Sequence, residues 1–548
     1  MARHSEKIVC ELSSKAWTEK ANWDDLLKEC YEFALSDRNP YWGNGTGKPG
    51  DAKPQQGKDK TSRRVYDSTL AVDAVKIANR LQYELFPIGS KWAEFQPGAF
   101  INADTREAAR ADLEGLRNMM FAAIQLSNFD LSIAEWLLEL VVAGMACMLV
   151  QRGDDDNPIV YQCVTQAHVA VREGAFGKID MISRQHRMRH SLITQTWSDA
   201  KFPELDEREI AEDPELDLID VCYYVPKDGV WYYDVIVTGG LKQAKEEKRI
   251  VERQHDICPW VIARWSKAAG EAQGRSMVML ALPDARVLSS VKSYLLRHAA
   301  LAIGGVWMVR NDGVINANNV RIFPGATIPV RSTGGNAGAS IQPLQATADV
   351  NLAQLVINDL VGSIHKIMLN DGMPEIKDGV RTATELLERL KELQQSMGAP
   401  FSRVLKEGIV PMMEATISIL SEMGVIPVQQ GQKIRLNNGQ IDVRFASPLV
   451  QGQSIRDVEV LQQSALITAQ IAGQEAVAVS FRVEDAGAWI GAKLGADPAM
   501  MRSKQERIDF QAKAAQVMAA QAGAPIGPGA MVPPAANSNP QQAPPMAA

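Results

Sequence analysis

Three stretches of the 548-residue chain carry residue types whose spacing could do chemistry. The first is the glycine-rich GNGTGKPG at 43–50, where backbone N–H groups and Lys48 could cradle a phosphate. A Walker loop needs a Gly five positions before its last Gly and a Ser or Thr after the Lys. Here those positions hold Trp42 and Pro49, and Gly-Lys precedes neither Ser nor Thr elsewhere in the chain. A flexible loop is expected, and a Walker-type ATPase is disfavoured. The second is His186 and His190, four apart, which could share a metal. The intervening Arg187, Met188 and Arg189 offer no Glu, no third ligand is in view, and the segment patterns as an exposed strand. The third is Asp154–Asp156, but a calcium loop needs a mid-loop Gly and a closing Glu where Ile159 and Thr165 stand, so a turn is expected. The chain also lacks a G-x-S-x-G elbow and a G-x-G-x-x-G after a strand. No catalytic, metal or cofactor site is expected.

Composition narrows the remaining classes. Lys and Arg number 58 against 65 Asp and Glu, a net charge of −7, which argues against a surface that grips DNA phosphates everywhere. A local basic patch remains compatible. Hydrophobic residues at 46% exclude a disordered chain, and few aromatics beside many Met and Ala lean helical. The length fits three or four modules. Six scattered cysteines without a C-x-x-C pair read as reduced thiols. The strongest apolar run, Leu140 to Val150, falls short of the roughly 20 residues of a membrane span. It reads as a buried helix, and a soluble protein is expected.

Helical spacing covers 14–38, then 70–85 with Leu70, Ala74, Ile77, Leu81 and Leu85 on one face, then two helices within 106–150. Alternating residues over 159–190 and around Asp228-Gly229 predict strands and a hairpin, and 257–265 one more strand. Glu204 to Asp217 reads as a solvated acidic face. Helical spacing returns over 276–303, with a break expected at Pro283, and over 351–369. Residues 304–350 between them pattern as strands and turns. Thr382 and Glu385 form a capping box opening a helix along Leu386, Leu390, Leu393 and Met397, which Pro400 and Pro411 should kink or break. Short strands over 433–445 and helix over 454–520 precede an Ala/Pro-rich tail expected to be disordered. The expected fold class is α+β, mainly helical.

Five segments, in order, resemble the head-to-tail connector (portal) family of short-tailed bacteriophages. They are RRVYDSTLAVDAVKIANRLQYELFPIGSKWAEF (63–95), EWLLELVVAGMACMLV (135–150) with AVREGAFGKIDMISRQH (170–186), and CPWVIARW with GRSMVMLALPDARVLSSVKSYL (258–295). RTATELLERLKELQQSMGAPFSRVLKEGIVPMMEATISILSEMGVIP (381–427) and FASPLVQGQ (445–453) complete the set. The resemblance spans about residues 15–510. It implies a non-enzymatic, elongated subunit of a homo-oligomeric ring, usually twelve-membered, at one capsid vertex of the virion, assembled in the host cytoplasm. That ring passes double-stranded DNA and meets the packaging terminase, the major capsid and scaffolding proteins and a tail adaptor. Another virion structural protein, such as a scaffold or internal head protein, is the alternative, ahead of a packaging ATPase.

Segment order implies a wing from 1–280 with 381–450, stem helices at 281–303 and 351–369, a clip at 304–350, a tunnel loop at 370–380, and a crown at 454–520, followed by the 521–548 tail. The tunnel loop would place Asp371, Gly372, Glu375, Lys377, Asp378 and Gly379 against DNA, three acids to one lysine, so that contacts stay brief. On the first stem helix, Leu288, Val291, Leu295 and Ala299 share an apolar face. Arg286, Ser290, Ser293 and Arg297 lie opposite, with Lys292 on a flank. Spacing leaves open whether that polar face meets solvent, a neighbour or DNA.

Overall fold

Alternation and helical periodicity produce the α+β, mainly helical architecture expected. The computed structural model describes residues 3–36, 65–98, 100, 106–154, 157–202, 213–239, 248–304, 307–309, 341–343, 350–370, 398, 400–426, 435–436, 441–445 and 448–473, with isolated positions to 510. The Gly/Lys loop, the tunnel loop beyond Asn370, the capping-box segment 382–397 and the C-terminal tail lie outside them. The chain divides into two units, Met1–Gly452 and Gln453–Ala548.

In the first unit, α1 (Glu6–Ala34) starts earlier than its periodicity indicates and ends before Arg38. The early start is a tertiary effect: Val9 and Cys10 pack on strand residues Met181, Val221, Tyr223 and Ile236. α2 (Thr69–Leu85) buries Leu70, Ala74, Ile77, Leu81 and Leu85, the expected face. β1 (Ala93–Pro97), α3 (Arg106–Gln125) and α4 (Phe129–Ala143) follow. Phe86, Trp92, Phe121, Phe129 and Tyr161 meet mostly edge to face between these elements, with centroids 5.0–5.6 Å apart in the T-shaped pairs.

The apolar run at 140–150 is corrected here. Its helix stops at Ala143, and Met145 to Val150 belong to a buried strand, β2 (Met145–Arg152). Gly144 makes the switch at φ 80°, where a Cβ would lie 2.6 Å from the Arg275 carbonyl carbon. A Cβ on Gly274 would in turn sit 2.0 Å from the Gly144 oxygen, so the two glycines let backbones touch. A continuous apolar run fits a strand buried on both faces as well as it fits a helix.

β2 is the centre of a three-stranded sheet between β3 (Ile159–Val164) and β9 (Trp260–Arg264). The largest sheet among the described residues is an antiparallel meander of β4 (Val169–Glu173), β5 (Ile179–Arg189), β6 (Glu215–Val225), β7 (Val230–Gly239) and β8 (Lys248–His255), with α5 (His190–Thr196) after β5. The β6–β7 hairpin turns at Asp228-Gly229 as expected, with Gly229 at φ 67°. Along β6 the faces alternate: Leu216, Leu218 and Cys222 enter one apolar cluster, Val221 and Tyr223 another. The end of the acidic segment is thus strand, and its residues 203–212 lie outside the described ones. The two histidines do not share an exposed strand face: His186 meets the buried Asp220 at 3.0 Å, and His190 opens α5.

α6 (Met277–Gly304) runs unbroken through Pro283. Burial of Val278, Ala281, Leu282, Ala285 and Leu288 outweighs the loss of one helical hydrogen bond, about 3 kcal/mol in a helix interior. β10 (Trp307–Val309) and β11 (Ile341–Pro343) pair antiparallel within the inserted segment, and α7 (Val350–Ile367) returns to pack on α6. Pro411 does not break its helix either. A π-helical turn, Val404–Ile409, widens the backbone just before it and runs into α8 (Val410–Glu422). β12 (Ile441–Phe445) pairs with β1, joining distant parts of the chain. In place of several short strands over 433–445, this is the one strand among the described residues there. α9 (Pro448–Ala472) begins before the expected 454 and carries into the second unit, where Val460, Leu466, Ile467 and Ile471 are exposed.

Candidate functional site: the α6 and α7 helix pair

α6 and α7, which flank the inserted segment, are tied to each other and to α2. Three short polar contacts make these ties. Ser363 Oγ of α7 donates to Asp284 Oδ2 of α6 at 2.6 Å. His365 Nδ1 lies 2.5 Å from Asp73 Oδ2, and Asn370 Nδ2 donates to Asp73 Oδ1 at 2.8 Å. Asp73 is buried on α2, so one carboxylate holds both the last turn of α7 and the residue that starts 370–380. Leu369 closes α7 at φ 56°, and the Asn370 N–H reaches back to the His365 carbonyl at 2.8 Å. Sequence reasoning misses this anchor, although an Asp between Leu70 and Ala74 on an apolar face is its signal.

The three cations assigned to the stem have different surroundings. Arg286 pairs through two nitrogens with Glu29 of α1. Lys292 pairs with Asp67, which also accepts from the Thr69 N–H at 2.8 Å. Burial works to raise the Asp67 carboxyl, but its bonds from Lys292 and Thr69 prevail and hold it below the usual carboxylate range. Arg297 is exposed and makes no ion pair among the described residues. It lines an open groove of about 380 Å³ with Phe33, Tyr66, Arg286, Ser293 and Tyr294. Arg286 and Lys292 are therefore largely answered within the chain, and Arg297 keeps its charge available.

The expected apolar face is partly as spaced: Leu288 is buried, and Val291 and Leu295 pack against the core. Between this face and the polar one, however, lies a flank that is apolar. Leu280, Val287 and Tyr294, seven residues apart, are 71%, 50% and 68% exposed and form a stripe along α6. Leu296, Ile303 and, on α7, Leu352 and Leu355 are also exposed. Asp371, Gly372, Glu375, Lys377, Asp378 and Gly379 lie outside the described residues.

Beneath this pair a charged hub joins the two sheets to the π turn. Arg264, 2% exposed on β9, donates through Nε and Nη2 to the Glu407 carboxylate at 2.9 and 2.8 Å and through Nη2 to the Gly177 carbonyl at 3.2 Å. Arg403 donates to Glu407 Oε1 at 2.8 Å. The paired forks are rigid and satisfied, an arrangement for holding elements in register. Among the described residues no group of three or more His, Cys, Asp or Glu is placed to hold a metal, and no helix is long and apolar enough to cross a membrane.

Comparison with known proteins gives these surfaces a context. The chain is 21% identical to the portal protein of Escherichia phage T7 over 421 residues, 74% of this chain and 76% of the relative. It is 21% identical to the portal protein of Enterobacteria phage T3 over 426 residues, with the same coverage of each. Among solved structures, a chain from the virion of a native gene transfer agent particle overlays with a TM-score of 0.31 at 11% identity, covering 71% of this chain and 88% of that one. A chain from the neck of an empty gene transfer agent particle gives 0.32 at 11%, covering 73% and 86%. The model of the bacteriophage head to tail connecting protein family matches residues 8–501, and this chain belongs to that family.

Proposed function

We propose that this chain is one subunit of a portal ring at a single capsid vertex, through which double-stranded DNA enters during packaging and leaves during ejection. The packaging motor docks on the ring first and the tail later. It is a virion component with a structural role, working without turnover and without a cofactor. One observation of geometry carries the ring: α6 and α7 leave large apolar side chains exposed along their outer sides, although the core beneath them is fully packed. Large apolar side chains left exposed in a row along one helix mark a contact with another molecule. Ring closure by rotation needs two different complementary surfaces on each copy, and a rigid helix pair presents them well.

In the finer reading, twelve copies form the ring, α6 and α7 are its stem, and the segment between them is the clip. Residues 1–280 with 381–450 are the wing, 454–520 the crown, and 370–380 a tunnel loop carrying Asp371, Glu375, Lys377 and Asp378 toward DNA. Arg297 is the stem cation best disposed for transient phosphate contact. The packaging terminase, the major capsid and scaffolding proteins and a tail adaptor are its partners. Negative-stain electron microscopy of the purified chain tests the reading: rings with a central hole are expected. Persistently monomeric or filamentous particles contradict it, and nucleotide hydrolysis by the pure chain would favour a motor instead.

A further inference from the structure

The tip of the β4–β5 hairpin, GAFGK at 174–178, places an apolar side chain where folding alone would not. Phe176 has φ 61° and ψ 24°, and Gly177 follows at φ 71°. Two successive left-handed residues make the turn that hairpins normally build from Asn-Gly, because Asn tolerates this conformation and bonds locally while a bulky side chain is strained by it. Phe176 is 98% exposed, so no packing within the chain offsets that strain.

The tip is nonetheless held firmly. The Gly174 N–H donates to the Lys178 carbonyl at 2.8 Å, and the buried Arg264 donates to the Gly177 carbonyl at 3.2 Å. Arg172 pairs with Asp180 at 3.0 Å, and Lys267 pairs with Glu173. A Cβ on Gly174 would lie 2.5 Å from Asp180 Oδ2, so only glycine lets the chain pass this closely beside Asp180. Four of the charges beside the tip are answered locally, while Lys178 is exposed. One lysine is little for gripping DNA phosphates, whereas a rigid apolar side chain suits a protein interface.

We infer that Phe176 is the anchor each subunit inserts into the next copy of the same chain. This rests on the ring reading. In a ring every copy meets its neighbour through a donating and a receiving surface, and the receiving apolar surface on this unit is the α6 stripe of Leu280, Val287 and Tyr294. A projecting ring and an apolar stripe are two unlike surfaces of the kind that such closure needs.

The turn itself provides a variant that separates folding from assembly. Phe176→Asn puts the preferred residue at the left-handed position. The full-length variant should melt at the same or a higher temperature than the parent, while the protein concentration at which rings form, read by sedimentation of a dilution series, rises roughly tenfold or more. Phe176→Trp, which keeps an aromatic anchor, should assemble at the parent concentration. Rings of Phe176→Asn at the parent concentration would overturn the inference while leaving the ring reading intact. A lowered melting temperature for Phe176→Asn would also overturn it, because Phe176 would then serve the fold. Absence of rings in the parent would instead remove the ring reading, and this inference with it.

Discussion

The five-stranded sheet and the α6–α7 pair handle their awkward groups in different ways. In the sheet, buried charge is answered from inside the chain. Asp234 receives the Arg3 Nε at 2.8 Å, the Arg249 guanidinium at 3.2 Å and the Tyr223 hydroxyl at 3.3 Å. Desolvation still raises its pKa, with the two arginines working against that shift. Ser13 and Ser183 share a hydrogen bond of 2.6 Å between α1 and the sheet. Among the described residues from 169 to 255, the only large apolar side chains left exposed are Phe176, Leu192 and Tyr224. The helix pair also answers two of its cations, but it leaves a second set of large apolar side chains exposed, Leu280, Val287, Tyr294 and Leu355 among them. A region complete in itself holds shape, and a region left incomplete suits the subunit contact proposed above. Phe176 is the point at which the sheet breaks its own rule.

Substitutions can break this contrast at several strengths. The largest effect should come from the core cluster that the helix pair shares, where a Cβ on Gly408 of the π turn would lie 2.6 Å from the ring of the fully buried Trp136. Trp136→Ala should cost about 3–5 kcal/mol and Gly408→Val about 3 kcal/mol, read from urea unfolding midpoints. Replacing Leu280, Val287 and Tyr294 together by Ser should change subunit stability by under about 1 kcal/mol, yet raise the concentration needed for rings roughly tenfold or more. Equal losses in both measurements would show that the stripe serves the fold.

Two smaller effects sharpen the contrast. His255, half-buried at the sheet edge, is pushed down to about 4 by desolvation and then by Arg253. Its neutral form is favoured by folding, so its contribution is present above the ordinary 6.5 and is lost as pH falls toward 4. Thermal melts across that window should show a decline that His255→Gln flattens. The smallest effect belongs to Arg297→Ala, which should leave stability within about 0.5 kcal/mol of the parent. If its cation reaches DNA, the variant's slope of log affinity against log salt should be shallower by about one for each phosphate that Arg297 neutralises. Glu29 already answers Arg286, so Arg286→Ala should stay nearer the parent slope.

Much of this is legible in the sequence where one element declares itself locally. α2 follows from five apolar positions at helical spacing, and the β6–β7 hairpin from Asp228-Gly229 between β-branched and aromatic runs. The order of five segments also reaches the family that the match over residues 8–501 shows. The apolar run at 140–150 reads wrongly as one helix because burial on all sides erases periodicity, and only the Gly144–Gly274 approach explains the switch to strand. Pro283 and Pro411 are poor guides to helix ends, since continuity there is decided by packing and by a π turn. The candidate site is least legible. Arg286 and Lys292 lie 257 and 225 residues from the carboxylates that neutralise them, and spacing along one helix carries no trace of such partners.

The central claim is that the α6 stripe is unfinished surface that a neighbouring copy completes. Hydroxyl-radical footprinting of assembled rings against dissociated subunits reads this directly at Leu280, Val287 and Tyr294. The account predicts several-fold protection of all three in the ring, with Leu192 and Tyr224 on the sheet labelled equally in both states. Equal labelling of the stripe in rings and subunits would contradict it.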